Sequence, residues 1–367
     1  MDYSELAPAY IRAIAPYQPG KPISELEREL GVTDIVKLAS NENPLGASPR
    51  AIEAARKALD EISLYPDGNG YALKEALVRR FGVSFEQVFL GNGSNDILEL
   101  VARAFLTVGD RAVYSEHAFA VYPLAIQAVG ARGICVKARD FGHDLVAMGN
   151  AATENRAKLV FIANPNNPTG TLLEGVALYR FMQALPSDIL VVLDEAYNEY
   201  LPLECRYDSV SWLSEFPNLI ISRTFSKAYG LASLRVGYAL ADAGVADMVN
   251  RVRQPFNVNS LAQAAATAAL DDLEFVRQTF ELNLAGMKQL TSGLKALGLD
   301  YIPSYGNFVS FRIADAARAY RRLLELGVIV RPVASYNMPD YLRVSIGLEA
   351  QNQKFLSALK QVLGESA

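Results

Sequence analysis

The chain is expected to fold as an α/β protein: a largely parallel sheet covered by helices, followed by a second, smaller α/β domain. Two observations lead there. Short continuous apolar runs recur between helical patterns, at Val88-Phe-Leu90, Ala112-Val-Tyr114, Gly133-Ile-Cys-Val136, Leu159-Val-Phe-Ile162, Ile189-Leu-Val-Val-Leu193 and Leu219-Ile-Ile221. Strands buried on both faces read this way, because neither side has to meet water. The pattern then changes after about residue 250. An alanine-rich helix at 260–270 and a long helix from 273 to about 297 lead into a shorter alternation of strands and helices.

Taken in order, residues 1–40 read as an arm. Pro16, Pro19 and Pro22 resist regular structure because proline lacks an N–H and restricts the residue before it. A short helix at 23–30 closes on Gly31. The larger domain runs over 41–275. Its first helix opens at Ser48-Pro49, a hydroxyl cap followed by proline at the first helical position. A second helix at 72–81 stops at Gly82, and a third covers 97–106. The smaller domain, 276–367, contains strands at 308–312, 328–330 and 342–346, a helix near 316–326 and a closing helix at 351–363.

Composition narrows the function. Half of the 367 residues are hydrophobic and a fifth charged, the balance of a soluble globular chain. A net charge of −5 argues against a nucleic-acid surface, which needs clustered Lys and Arg. Two cysteines and two histidines, His117 and His143, leave little for disulfides, metal sites or Ser-His chemistry. The acidic start and the lack of any apolar run of about 20 residues predict a cytoplasmic protein without a membrane anchor.

Chemistry-bearing residues gather at predicted strand ends. Asn92-Gly-Ser-Asn-Asp96 joins a strand to a helix, where free N–H groups and the helix dipole favour an anion; Gly93, Ser94 and Asn95 are candidates to hold a phosphate. An ordinary helix cap explains the same residues. Phe119, after the next strand, offers a ring that can stack on a flat heterocycle or simply fill core. Asn164-Pro-Asn-Asn-Pro-Thr-Gly170 demands a tight turn. Asp194 ends an apolar strand, where open α/β sheets bind ligands and where a buried carboxylate needs a partner. Last, Thr224-Phe-Ser-Lys227 and Arg235 set a reactive amine beside hydroxyls and a cation.

This ordered set resembles the fold-type-I, pyridoxal-phosphate-dependent aminotransferases. Ser226-Lys-Ala-Tyr-Gly-Leu-Ala-Ser-Leu-Arg235 is similar to their lysine motif, and the Asn164–Gly170 turn to another of their signatures. Val36–Pro44, Leu64-Tyr-Pro-Asp-Gly68, Gly327-Val-Ile-Val-Arg-Pro332 and Leu342-Arg-Val-Ser-Ile-Gly347 look most like the histidinol-phosphate aminotransferase family. The resemblance implies an aspartate-aminotransferase-like fold with a seven-stranded sheet, and pyridoxal phosphate as cofactor. It implies that Lys227 bonds the cofactor and moves the proton, and that Asp194 pairs with the ring nitrogen. Asn167 and Tyr197 would bind the ring's phenolic oxygen, Phe119 would cover the ring, and Ser94, Thr224, Ser226 and Arg235 would hold its phosphate. Tyr65 would reach the phosphate of a neighbouring subunit, making a homodimer with shared sites. Tyr17, Asn43, Arg331 and Arg343 would meet the substrates, histidinol phosphate and 2-oxoglutarate or glutamate.

Two positions depart from many relatives. Ser233 stands where glycine is common, and Lys354 alone offers a basic group where some relatives place a further cation. Three competing readings are an aromatic-amino-acid aminotransferase, a phosphothreonine decarboxylase and a cofactor-binding regulatory module. The short arm leaves little room for the DNA-binding extension that the last would need.

Overall fold

A computed structural model describes residues 3–16 and 20–364. Its strands are β1 (Val36–Lys37), β2 (Val88–Gly91), β3 (Arg111–Ser115), β4 (Arg132–Val136), β5 (Leu159–Ala163), β6 (Leu190–Asp194), β7 (Leu219–Thr224), β8 (Gly237–Ala241), β9 (Phe308–Arg312), β10 (Val328–Ile329), β11 (Arg331–Pro332) and β12 (Tyr341–Ser345).

Seven of them form one sheet in the order β2-β8-β7-β6-β5-β3-β4. The pairs from β4 across to β7 are parallel, and only β8 runs against its neighbours. Strands β5 and β7 are buried at every position, which is why β5 and the first half of β7 read as apolar runs. Alternate residues feed two cores: Val160 and Ile162 point to one layer of helices, Leu159 and Phe161 to the other.

Strand β8 escapes the apolar-run criterion. Its sequence, Gly-Tyr-Ala-Leu-Ala, has low strand propensity, but packing dictates the small residues. A Cβ added at Gly237 would lie 2.7 Å from Ser94 N and 2.9 Å from Gly93 C, so the helix start could not approach the sheet.

A second sheet, β11-β12-β9, is antiparallel, and β10 beside it pairs in parallel with β1. Strand β1 comes from the segment expected to be an irregular arm. The stretch is structural: Leu38 joins the core of the smaller unit, while Leu26 and Ala39 pack with Leu324 and Ile329. The helix Ile23–Leu30 presents Leu26 to that cluster and ends on left-handed Gly31. The arm therefore contributes to the small unit's core from residue 26 to residue 39. Tyr17 lies outside the described residues.

Helix bounds agree with the periodicity where apolar faces are clear, as at Ser260–Leu270 and Leu273–Ala296. The helix expected at 97–106 begins earlier, at Ser94. Among the described residues, no helix is long and apolar enough to cross a membrane, and no cluster of three His, Cys, Asp or Glu is placed to hold a metal.

One buried side chain ties the sheet's ligand-bearing end to acidity. His143 Nε2 lies 3.2 Å from Ala163 N and 3.0 Å from Ala163 O, at the end of β5. Burial pushes its pKa down from 6.5 to about 4. The folded state therefore refuses a proton that the unfolded chain accepts, so stability falls as pH drops from about 6.5 towards 4. The full loss is on the order of 3 kcal/mol. Urea unfolding at pH 7 and pH 5 is expected to show this decline, and His143→Gln to flatten it.

Candidate active site

The C-terminal ends of β5, β6 and β7 open into a cleft of about 220 Å³, where Ala163, Asp194 and Thr224 all reach the wall. Ligands bind at this edge of open α/β sheets because the following loops and helix starts converge there. The smaller unit closes the other side with Arg331, Tyr336 and Arg343.

At one end the cleft is built for an anion. Ser94 and Asn95 open the helix Ser94–Phe105, and no side chain caps it, so the capping alternative does not describe this turn. Its N-terminal N–H groups and dipole favour negative charge. Thr224, Ser226 and Arg235 complete the wall. Arg235 Nη1 donates to Ser226 Oγ at 3.2 Å and to the Ala232 carbonyl at 2.9 Å. Gly93 does not line the cleft but makes its geometry possible. Its φ is +84°, and a Cβ there would come within 2.3 Å of Arg235 Nη2.

In the middle stand Lys227 and Asp194. Lys227 Nζ donates to the Ser40 carbonyl at 3.1 Å and lies 5.9 Å from the Tyr197 ring centroid. Burial, with the nearby Arg343 guanidinium, lowers its pKa to about 8. Asp194 is buried; Oδ2 accepts from Tyr122 Oη at 2.9 Å, while Oδ1 has no hydrogen-bond partner. Burial raises its pKa to about 6, against the lowering effect of the Tyr122 hydrogen bond. A buried carboxylate oxygen without a donor is costly. A protonated ring nitrogen would relieve that cost, so the residues present fit pyridoxal phosphate: an amine, a waiting carboxylate and an anion cradle in one cleft.

The far end is cationic. Arg331 and Arg343 are direct partners across the antiparallel β11–β12 ladder, so both side chains leave the same face of the sheet. Both are buried. Arg343 Nη2 donates to the Ala39 carbonyl at 2.8 Å, and Nη1 donates to Asn167 Oδ1 at 2.5 Å. With Oδ1 committed as acceptor, the Asn167 amide keeps its Nδ2 as donor. Phe119 and Tyr197 also line the cleft, and Tyr197 Oη accepts from Asn41 Nδ2 at 2.9 Å.

Several expected contacts fall elsewhere. Asn43 does not line the cleft. Its Nδ2 donates to the Ala228 carbonyl and Thr279 Oγ1, and Oδ1 accepts from Leu45 N, so it fastens the loop after Lys227 to the long helix. Tyr65 is 82% exposed and stacks on Phe256 at 4.7 Å, away from its own chain's cleft. Lys354 pairs with Asp34 at 2.8 Å and ties the segment before β1 to the last helix. Ser233 is exposed.

Four participants were not singled out from the sequence. Tyr122 stacks on Phe161 at 4.8 Å and reaches Asp194; it sits three residues after Phe119, a helical spacing that could have marked it. Ser40 and Asn41 line the cleft from the end of the arm, and Asn41 takes a left-handed φ of +55°. Tyr336 follows Arg331 by five residues and is buried against the cleft. No periodicity signals the last, because a 3-10 turn carries it.

The fold and cleft define an α/β enzyme of the pyridoxal-phosphate-dependent aminotransferase class. Residues 33–359 match the family model of class I and II aminotransferases. A histidinol-phosphate aminotransferase from Methylobacillus flagellatus is 63% identical over 98% of each chain. One from Nitrosospira multiformis is 60% identical over 98% of this chain and 92% of its own. The crystal structure of the Sinorhizobium meliloti histidinol-phosphate aminotransferase in complex with pyridoxal-5'-phosphate superposes with a TM-score of 0.90, at 31% identity and 98% coverage of both chains. The chain belongs to the class I and II aminotransferases and, within them, to the histidinol-phosphate aminotransferase family.

Proposed function

We infer that the protein transfers the amino group of L-histidinol phosphate to 2-oxoglutarate, giving imidazole-acetol phosphate and L-glutamate, as a step of histidine biosynthesis. The observation that carries this reading is the pair of buried arginines set opposite each other at the substrate end of the cleft. Arginine's planar fork binds phosphate and carboxylate alike through paired hydrogen bonds, so one pair can serve a phosphate ester and then a dicarboxylate.

Pyridoxal phosphate, when bound, supplies an aldehyde for the substrate nitrogen and a ring that accepts the electron pair left by the departing proton. The chain's residues do the rest. Ser94, Asn95, Thr224, Ser226 and Arg235 would hold its phosphate, and Phe119 would cover its ring. Asp194, whose pKa burial raises to about 6, would keep a proton on the ring nitrogen. Asn167 and Tyr197 would bind the phenolic oxygen. Lys227 would hold the group through Nζ, and its lowered pKa of about 8 suits that amine to accept and return a proton. Tyr122 holds the Asp194 carboxylate in place.

The same reading makes the protein a cytoplasmic homodimer. Ile62, Leu64, Tyr65 and Phe256 are 68, 65, 82 and 44% exposed, a concentration of apolar surface that a second subunit would cover. Tyr65 would then serve the neighbour's cleft. The domain division proposed is an arm to residue 40, a cofactor domain over 41–275 and a small domain over 276–367, with residues 26–39 packed on the small domain.

Single-turnover bleaching of the yellow protein by a panel of amines tests the substrate. Histidinol phosphate is expected to bleach it fastest. Faster bleaching by phenylalanine would make it an aromatic aminotransferase, and carbon dioxide release from phosphothreonine without a keto acid would make it a decarboxylase.

A further inference from the structure

A second pocket, about 330 Å³, lies beneath the turn at 67–70 and shares no lining residue with the active-site cleft. Its walls come from the helix Tyr71–Phe81, from β2 and from the connection at 250–263. Two cations meet there. Lys74 is only 8% exposed; its Nζ lies 4.0 Å from the Phe85 ring centroid and makes no hydrogen bond or ion pair among the described residues. Arg253 donates from Nε to Asn250 Oδ1 at 3.1 Å and from Nη1 to Asn257 Oδ1 at 2.8 Å, and it makes no ion pair.

Other polar side chains of the wall are tied to the fold. Asn257 Nδ2 donates to the Leu90 carbonyl and Asp96, and Gln263 Nε2 to the carbonyls of Asp67 and Val258. The wall's one carboxylate, Asp67, accepts from the N–H groups of Asn69 and Tyr71. Burial lowers the Lys74 pKa to about 8, with Arg253 adding to the effect and Glu86 opposing it. Burial lowers that of Arg253 as well, with Asp96 opposing. A buried ammonium beside a guanidinium is costly until a counter-charge joins them.

We propose that this pocket is a second anion site, taking a small tetrahedral dianion, phosphate or the head of a phosphate monoester, between Lys74 Nζ and the Arg253 guanidinium. Lysine supplies a point charge and arginine a fork, a pairing suited to phosphate. The bound anion joins the segment 67–74 to the segment 253–263, and so braces the neighbouring Tyr65–Phe256 stack.

The test uses the pyridoxal-phosphate-loaded protein, whose active-site anion cradle is filled by the cofactor. Equilibrium dialysis with radiolabelled inorganic phosphate, at ionic strength fixed with chloride, counts bound phosphate per chain. The wild type is expected to bind one phosphate more than Lys74→Met, and Arg253→Gln to weaken that phosphate at least about tenfold. Should Lys74→Met fail to fold, Arg253→Gln, at a half-exposed position, gives the same reading. Glycerol phosphate as competitor separates the sources: displacement of the extra phosphate means that the pocket admits monoesters, and no displacement restricts it to the free ion. Equal phosphate counts in the wild type and a folded Lys74→Met or Arg253→Gln, or full displacement by chloride, would overturn the proposal.

Discussion

Lys227→Ala is expected to lower kcat by at least about 10⁴-fold, the upper end of what one acid–base group contributes. The side chain is partly buried beside Asp194, Tyr197, Arg235 and Arg343, and it is the one lysine lining the cleft. On the proposed reading, removing it takes away both the attachment of the cofactor and the group that moves the proton. The two losses separate experimentally. Loss of visible absorbance after reconstitution reports the attachment, while the rate restored by added small amines reports the proton transfer. Full turnover with the absorbance intact would place the chemistry elsewhere.

Asp194→Asn should cost about 10²–10³-fold in kcat, the range for removing a buried charge aimed at the reacting centre. The substitution keeps the size and a hydrogen-bonding contact for Tyr122 Oη, so packing changes little. What disappears is the negative charge whose Oδ1 has no hydrogen-bond partner among the described residues. On the proposed reading, an amide would not hold a proton on the ring nitrogen in the same way, and the electron-accepting power of the ring would fall. Steady-state rates at saturating donor, beside an unfolding midpoint near that of the wild type, distinguish this from simple destabilisation. A kcat within a few-fold of wild type would remove Asp194 from its assigned role.

Most of the sheet was legible because burial writes itself into composition. Strands β5 and β6 and the first half of β7 are apolar on both faces, and short runs of that kind between turn signals mark buried strands. Strand β8 was illegible for the opposite reason: close approach of a helix start demanded Gly and Ala, residues that signal nothing by themselves. The arm misled because three prolines and a short helix look like a tether. Its anchoring contacts, β1 on β10 and Leu26 on Ile329, join residues some 300 positions apart, as the pairing of Val36 with Val328 illustrates. In the cleft, residues at strand ends and in punctuated loops could be found from order alone. Tyr336 could not, since it acts through a 3-10 turn that only the packed chain defines. Asn43 lies two residues beyond Asn41, yet the turn sends one amide to the cleft and the other to the long helix.

The opposed arginines of β11 and β12 have a consequence for the protein as a material. Like charges directly across an antiparallel ladder oppose the pairing that holds the small sheet together. On the proposed reading, a substrate anion bound to both would lessen that opposition, so ligand occupancy and folding would be thermodynamically linked. A phosphate ester or a dicarboxylate would then be a stabilising excipient as well as a reactant.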